Sequence, residues 1–164
     1  MWREMDEGRV VVEHPNRDKP ESRATRALVV GLLVASAAVL AIATAGGWAK
    51  IQGAKSLQIA YIVVYLVLAF YVARWRSGLL PVAASRAIVL AIFSAIAAPQ
   101  WFDRDKAGLE DPLLDESVVG ILTVLLVPLQ MLLIAGAARG FSQKWSVEVE
   151  RRLGGPPPYV AQPR

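Results

Sequence analysis

Chemically capable side chains are scarce in the apolar part of this 164-residue chain, and the first to consider is Arg86. If the third helix begins at Leu79, Arg86 lies nearly two turns inside the membrane, a costly position that marks functional residues. If the spanning part begins at Arg86 itself, the guanidinium reaches the membrane interface and anchors the helix there. The interfacial anchor is the favoured interpretation. Binding of a lipid phosphate, a partner or an anion is the alternative.

Pro128 and Gln130 interrupt the fourth apolar stretch near its middle. A proline leaves the carbonyl of Val124 without its helical donor, and a neighbouring polar group can satisfy that carbonyl. Gln130 can donate to it or across to another helix, and Thr123 and Gln58 are further candidates for the same polar contact. The favoured interpretation is a static kink at an interhelical contact. A hinge or a permeation path is the alternative.

Six carboxylates lie in the segment 101–117, and clustered oxygens are the ligands that hard cations such as calcium prefer. The spacing lacks the alternating acidic pattern with a central glycine that forms a calcium loop. We therefore expect no metal site in this segment. Asp115, Glu116 and Ser117 are expected instead to cap the fourth helix, where negative charge stabilises the N-terminal end.

The residue types that are absent from the sequence exclude several classes of protein. The chain has no cysteine, which removes disulfides, thiolate metal sites and cysteine-based redox chemistry. Its single histidine, His14, precedes a proline outside the apolar stretches and is expected to be a turn residue. No serine of the apolar stretches has a histidine near it, and no phosphate-binding loop occurs. We expect no catalytic residue, no cofactor and no metal ligand, and hence no enzyme.

The few polar residues lie in four long apolar stretches. Three of these stretches approach or exceed the length of roughly 20 residues that spans a bilayer. The stretches are apolar all round, which suits lipid better than a soluble core. We therefore predict an all-α fold, an integral membrane four-helix bundle. The predicted helices are 27–48, 57–75, 79–102 and 118–139, in a transmembrane domain 27–141 between an N-terminal segment 1–26 and a tail 142–164.

The basic residues between the stretches predict the orientation. Fourteen of them lie before the first stretch, in the second connection or in the tail, and four lie in the first and third connections. By the positive-inside tendency, we expect both termini on the cytoplasmic side of a bacterial inner membrane. The same distribution explains the formal net charge of +4, so membrane lipids are expected partners and nucleic acid is not.

Small residues predict where the helices pack, because close backbone approach drives helix association in lipid. The positions concerned are Gly31, Ala35, Ala91, Ala95, Gly136 and Gly140. We expect the small faces of the first and third helices to point inward, with the bulkier helices outside or against them. The alternative is that these alanines are present only because alanine favours helix formation. Tryptophans are expected at the membrane interfaces, namely Trp48, Trp75, Trp101 and Trp145.

Two short β-prone segments lie outside the helices. Residues 9–13 carry three consecutive valines, and residues 145–150 alternate apolar and polar side chains. Since both lie on the predicted cytoplasmic side, one hypothesis pairs them as a two-stranded ribbon. The favoured interpretation is that the tail continues the fourth helix or lies on the membrane with Trp145 at the interface, because isolated hairpins are marginal in water.

Three stretches of sequence carry a family resemblance. They read His14-Pro15-Asn16-Arg17-Asp18-Lys19-Pro20, Pro99-Gln100-Trp101-Phe102 with Asp105-Lys106-Ala107-Gly108, and Val127-Pro128-Leu129-Gln130 followed by Arg139-Gly140-Phe141. On these residues the chain resembles small four-span membrane proteins of actinobacterial type. The resemblance covers most of the chain except the tail. It implies a fold and a compartment, but no activity.

The packing faces and the nearly charge-free bundle favour a non-catalytic accessory or scaffold subunit of a bacterial inner-membrane complex. Its expected partners are other membrane protein subunits or copies of itself. One alternative is a small oligomeric channel or facilitator that uses Arg86, Thr123, Pro128 and Gln130. A second alternative is a lipid-binding or membrane-stress signalling protein that uses the basic ends.

Overall fold

Four helices and one pair of short strands make up the fold. The computed structural model describes residues 10–51, 53–102 and 113–152. The elements are β1 (Val10–Glu13), α1 (Pro20–Gly46), α2 (Lys55–Ala73), α3 (Leu80–Phe102), α4 (Glu116–Ser142) and β2 (Val149–Arg152), with a 3-10 turn at Ser77–Leu79. Each of the four helices is long and apolar enough to cross a membrane. The predicted four-helix architecture is confirmed, with the strand pair added to it.

The helix ends differ from the predicted ones by a few residues. α1 begins at Pro20 instead of residue 27, because proline suits a first helical turn and the polar residues that follow it belong to the same helix. α4 begins after Asp115, whose carboxylate accepts a hydrogen bond from the backbone N–H of Ser117 at 2.8 Å. The predicted acidic cap of this helix is confirmed. The rest of the acidic segment, residues 103–112, lies outside the described residues.

α4 is the helix against which the bundle is assembled. α1 packs against α2 and α4, and α3 packs against α4. Among the described residues no Cα atom of α1 lies within 8 Å of α3, so these two helices pack against α4 instead of each other. α2 and α3 make little contact although the chain connects them directly. The bundle is therefore open between α2 and α3.

The small residues expected at packing faces occupy both buried and exposed positions. Gly136, Gly140 and Ala91 are buried, Ala35 is half-buried, and Gly31 and Ala95 are exposed. A Cβ atom added at Gly140 would lie 3.0 Å from side-chain atoms of Leu80 and Trp145. One added at Gly31 would meet nothing within 4 Å. Close backbone approach is therefore a property of α4 and not of the Gly31 face of α1.

The two chain ends pair as a short antiparallel ribbon. Val11 lies opposite Arg151, and Glu13 lies opposite Val149. The ribbon hypothesis is therefore correct and the favoured interpretation of the tail is wrong: α4 ends at Ser142, and the chain turns at Lys144, whose φ is +49°. The strand begins at Val149, later than predicted, and Trp145, at the start of the predicted segment, is buried in the bundle instead. We call the end of the bundle that carries β1, β2 and the α2–α3 turn the ribbon end.

The opposite end, which we call the loop end, carries the α1–α2 connection and the start of α4. The four tryptophans expected at the interfaces divide differently between these ends and the core. Trp48 is 46% exposed and Trp75 is half-buried, whereas Trp101 is 4% and Trp145 is 0% exposed. The rings of Trp101 and Trp145 therefore pack inside the protein, at the ends of the bundle, and the interfacial role expected of the four tryptophans stays a prediction.

Candidate functional site

A buried polar cluster joins three helices in the middle of the bundle. Gln130 of α4 accepts a hydrogen bond at Oε1 from the Tyr65 hydroxyl of α2 at 2.8 Å, and its Nε2 donates to Ser36 Oγ of α1 at 3.0 Å. All three residues are completely buried. Because each polar group has a partner, the cluster sets the relative positions of α1, α2 and α4 without leaving an unsatisfied group.

Of the two hydrogen bonds expected of Gln130, to the carbonyl of Val124 or to another helix, the structure shows the second: Gln130 donates to Ser36 of α1. Pro128 lies on the exposed side of α4, away from this contact. The sequence analysis missed Tyr65 and Ser36 as partners. A tyrosine in the middle of an apolar helix is a usable signal, since a buried phenolic hydroxyl needs a hydrogen-bond partner.

Thr123 and Gln58 were expected to share the contact of Gln130, but they lie nearer the loop end. The Thr123 hydroxyl donates to the carbonyl of Val119 in its own helix at 2.8 Å. Gln58 of α2 has its Oε1 2.9 Å from the hydroxyl of Thr44 in α1. Within the described residues these local hydrogen bonds are not joined to the cluster around Gln130.

A cavity of about 230 Å³ lies between α2 and α3 towards the loop end, where the two helices separate. We call it the lateral cavity. Its walls are mainly apolar, and Leu57 of α2 and Phe93 of α3 are exposed at its rim. Ser94 lines it and is 3% exposed, and its hydroxyl makes no hydrogen bond within the described residues. Gln58 and Gln100 are further polar residues of the lining.

The loop end is held by an ion pair between the first connection and α4. Lys50 and Glu116 are in contact through Nζ and Oε1, with side chains 5% and 18% exposed. Beside them the backbone N–H of Leu114 donates to the carbonyl of Gly46 at 3.1 Å. The sequence indicates Lys50 only as a topological charge and Glu116 only as a cap, because their pairing depends on the conformation of the loop that brings them together.

The ribbon end is held by aromatic and arginine contacts around Trp75. The ring of Trp75 meets the ring of Trp145 edge-on, with centroids 5.4 Å apart. The guanidinium of Arg26 lies 4.3 Å from the centroid of the Trp75 ring and donates to the carbonyl of Ala73 at 2.8 Å. These contacts hold Trp75 in a left-handed backbone conformation, with φ +65°, which is unfavourable for a bulky residue.

Side chains of the N-terminal segment fasten the C-terminal segment to this end. Arg17 Nε donates to the carbonyl of Trp145 at 3.1 Å, and Asn16 Nδ2 donates to the carbonyl of Lys144 at 3.1 Å. Gln143 Nε2 in turn donates to the hydroxyl of Thr25 at 3.0 Å. The ribbon is therefore one part of a larger contact between the two ends of the chain.

Arg86 is exposed on α3 and makes no hydrogen bond or ion pair in the part of the chain that the structure describes. At 1.5 Å per residue it lies about 9 Å along the helix from Leu80. Helical side chains lean towards the helix N-terminus, which for α3 is the ribbon end. The guanidinium can therefore extend towards the ribbon-end surface, as the interfacial interpretation requires.

The comparisons with known proteins add no homologue from which a function could be transferred. No protein-family model, curated protein or solved structure matches the chain. The function must therefore be inferred from the geometry of the polar cluster, the lateral cavity and the basic ribbon end.

Proposed function

We propose that this protein is a non-catalytic accessory or scaffold subunit of a bacterial inner-membrane complex, and that its partner is another membrane protein. The observation that supports this proposal is the lateral cavity between α2 and α3. Lipid supplies no hydrophobic force between helices, so helix association depends on close packing and on interhelical hydrogen bonds. A recess between two diverging helices allows a partner helix to pack closely and to form an interhelical hydrogen bond.

The lateral cavity also defines the chemistry of the partner. Ser94 lines the lateral cavity, and its hydroxyl makes no hydrogen bond within the described residues, so it is available to a group that enters the cavity. A transmembrane helix that inserts one large apolar side chain past Phe93, next to a hydrogen-bonding group, would fill the cavity and satisfy this hydroxyl. The partner is therefore a transmembrane helix that carries such a pair of side chains.

The polar residues of the bundle favour a subunit over a channel. Gln130 and Thr123 make their hydrogen bonds inside the chain and are buried. A pore between copies of the chain would be lined by exposed helix faces. Gln130 does not lie on such a face, and Thr123 lines only the lateral cavity. The buried groups therefore act in packing instead of in the conduction of a solute.

In this proposal the ribbon end faces the cytoplasm. The first segment, the α2–α3 turn and the end of α4 carry most of the basic residues of the chain, and positively charged connections stay on the cytoplasmic side. The lateral cavity would then open in the outer half of the bilayer, and a partner helix would enter it there.

The proposal is tested by two serine variants of α3 in the full-length protein, purified in mild detergent from its own membrane. Ser94→Phe fills the lateral cavity. Ser85→Phe is the matched control, since Ser85 is exposed and its hydroxyl only donates to the carbonyl of Val82. We expect the wild type and the control to elute with a second membrane protein at a fixed ratio, and Ser94→Phe to elute without it.

Two results would contradict the proposal: a wild-type protein that elutes alone, or a Ser94→Phe protein that keeps its partner. A Phe93→Ala variant provides an independent test if Ser94→Phe does not fold. Phe93 is 49% exposed at the rim, so its truncation leaves the bundle core intact and weakens only the contact with the partner.

A further inference from the structure

A second recess lies at the ribbon end, beneath the turn between α2 and α3. It is an open crevice of about 800 Å³ lined by three segments that are distant in sequence. Arg17 comes from the N-terminal segment, Arg74 and Arg76 come from the turn, and Ser146 and Glu148 come from the segment before β2. We call it the arginine crevice.

The arginine crevice has an excess of positive charge. Three guanidinium groups and one carboxylate line it, and no ion pair joins them within the described residues. The guanidinium of Arg76 has no hydrogen-bond partner in that part of the chain, and the guanidinium of Arg74 lies only over the ring of Phe70, 4.4 Å from its centroid. Several donors in the crevice are therefore available to an anion.

Part of this crevice is held in place before any ligand arrives. Arg17 donates through Nε to the carbonyl of Trp145, which fixes the plane of its guanidinium and leaves both terminal nitrogens without a partner in the described chain. The turn that carries Arg74 and Arg76 is held by the contacts of Trp75 with Arg26 and Trp145. The association of the chain ends thus brings the three arginines together.

We propose that the arginine crevice binds a phosphate ester, in the form of the headgroup of an anionic phospholipid. Guanidinium groups bind phosphate oxygens through two parallel hydrogen bonds, and several of them balance the charge of the ester. The crevice lies where the apolar helix α2 ends at Ala73, which is headgroup level for a spanning helix. Tyr71 also lines the crevice and is 42% exposed, so its ring is available to contact the glycerol backbone. This site is independent of the lateral cavity and of the proposed partner.

The test is native mass spectrometry of the full-length protein in detergent, titrated with phosphatidylglycerol or with phosphatidylcholine of the same chain length. The variant Arg74→Gln/Arg76→Gln removes two of the three cations. Arg139→Gln is the control, because Arg139 is exposed at the same end of the bundle and does not line the crevice. Unchanged thermal unfolding establishes that each variant is folded.

We expect phosphatidylglycerol to bind more tightly than phosphatidylcholine. The double variant should weaken it by on the order of 25-fold, about fivefold for each arginine, and the control by less than about twofold. Competition by inorganic phosphate or glycerol 3-phosphate at millimolar concentration would identify a soluble phosphate as the ligand of this site. Failure of both to compete would identify the lipid.

Equal binding of the two lipids would overturn the proposal, because a phosphate site must prefer the lipid whose headgroup has a net negative charge. Equal loss in the control and the double variant would overturn it as well, since the effect would then be general surface charge. The single variant Arg76→Gln, which changes a side chain without a partner in the described chain, repeats the test if the double variant does not fold.

Discussion

The two ends of the bundle are closed in different ways. At the ribbon end, segments from both ends of the chain meet, and aromatic rings, arginines and a pair of strands fix them to the helices. At the loop end, an ion pair between Lys50 and Glu116 and a backbone hydrogen bond join neighbouring connections, and the lateral cavity opens beside them. We infer that the ribbon end provides most of the stability, and in the proposed function the lateral cavity at the loop end receives the partner.

The largest expected effect comes from removing the ring at the centre of the ribbon end. Trp145→Ala should lower the free energy of unfolding by about 3–5 kcal/mol, because the ring is completely buried and its loss leaves a cavity. Trp48→Ala at the loop end is the matched control, and we expect it to change stability by less than about 1 kcal/mol, because that ring is 46% exposed. Reversible unfolding in mixed micelles measures both, and equal losses would refute the contrast between the ends.

A somewhat smaller effect is expected in the polar cluster between the ends. Gln130→Leu removes the partner of two buried hydroxyls, Tyr65 and Ser36, and should destabilise by about 1–3 kcal/mol. Adding Tyr65→Phe to this variant removes one of the unsatisfied hydroxyls and should restore part of the loss. A double-mutant cycle on unfolding free energies measures the coupling. Strictly additive losses would show that the cluster does not act as a unit.

Two glycine substitutions sharpen the comparison of packing. Gly140→Ala places a methyl group 3.0 Å from Leu80 and Trp145 at the ribbon end and should destabilise by about 1–3 kcal/mol. Gly31→Ala, where a Cβ atom meets nothing within 4 Å, should instead stabilise by up to about 1 kcal/mol through helix propensity. Thermal unfolding of the two variants should therefore shift in opposite directions. A shift in the same direction would contradict the packing assigned to α4.

The smallest effect is expected for the ion pair of the loop end. Lys50→Met should destabilise by about 1 kcal/mol, since Glu116 keeps access to water when its partner is lost. Lys50→Met/Glu116→Met should recover part of this loss. Chemical unfolding at low and high salt is the measurement, and the wild type should lose more stability on addition of salt than the double variant. A loss as large as that of Trp145→Ala would show that the two ends are equally important.

The four helices could be predicted from the sequence because length and apolarity are local properties of each segment. The helix ends were shifted mainly where polar residues extend a helix beyond its apolar part, as at Pro20 of α1. The sequence alone favours another interpretation over the ribbon, because isolated two-stranded pairs are unstable in water. The ribbon is not isolated, since Trp145 packs into the bundle directly before β2.

The candidate sites were less accessible to sequence reasoning because they depend on the rotation of helices about their axes. Gln130 was identified by its polarity, but its partners Tyr65 and Ser36 depend on which faces of α2 and α1 meet α4. The arginine crevice joins Arg17 to the turn at Arg74, and only the association of the chain ends places them together. No periodicity in the sequence could reveal that contact.

The most direct test of the subunit proposal is the mass of the wild-type particle extracted from its own membrane in native nanodiscs. The chain alone has a mass of 17.8 kDa. We expect a particle of defined composition that contains this chain and a second membrane protein at a constant ratio. A particle whose protein mass is 17.8 kDa, or a whole multiple of it, would contradict the proposal.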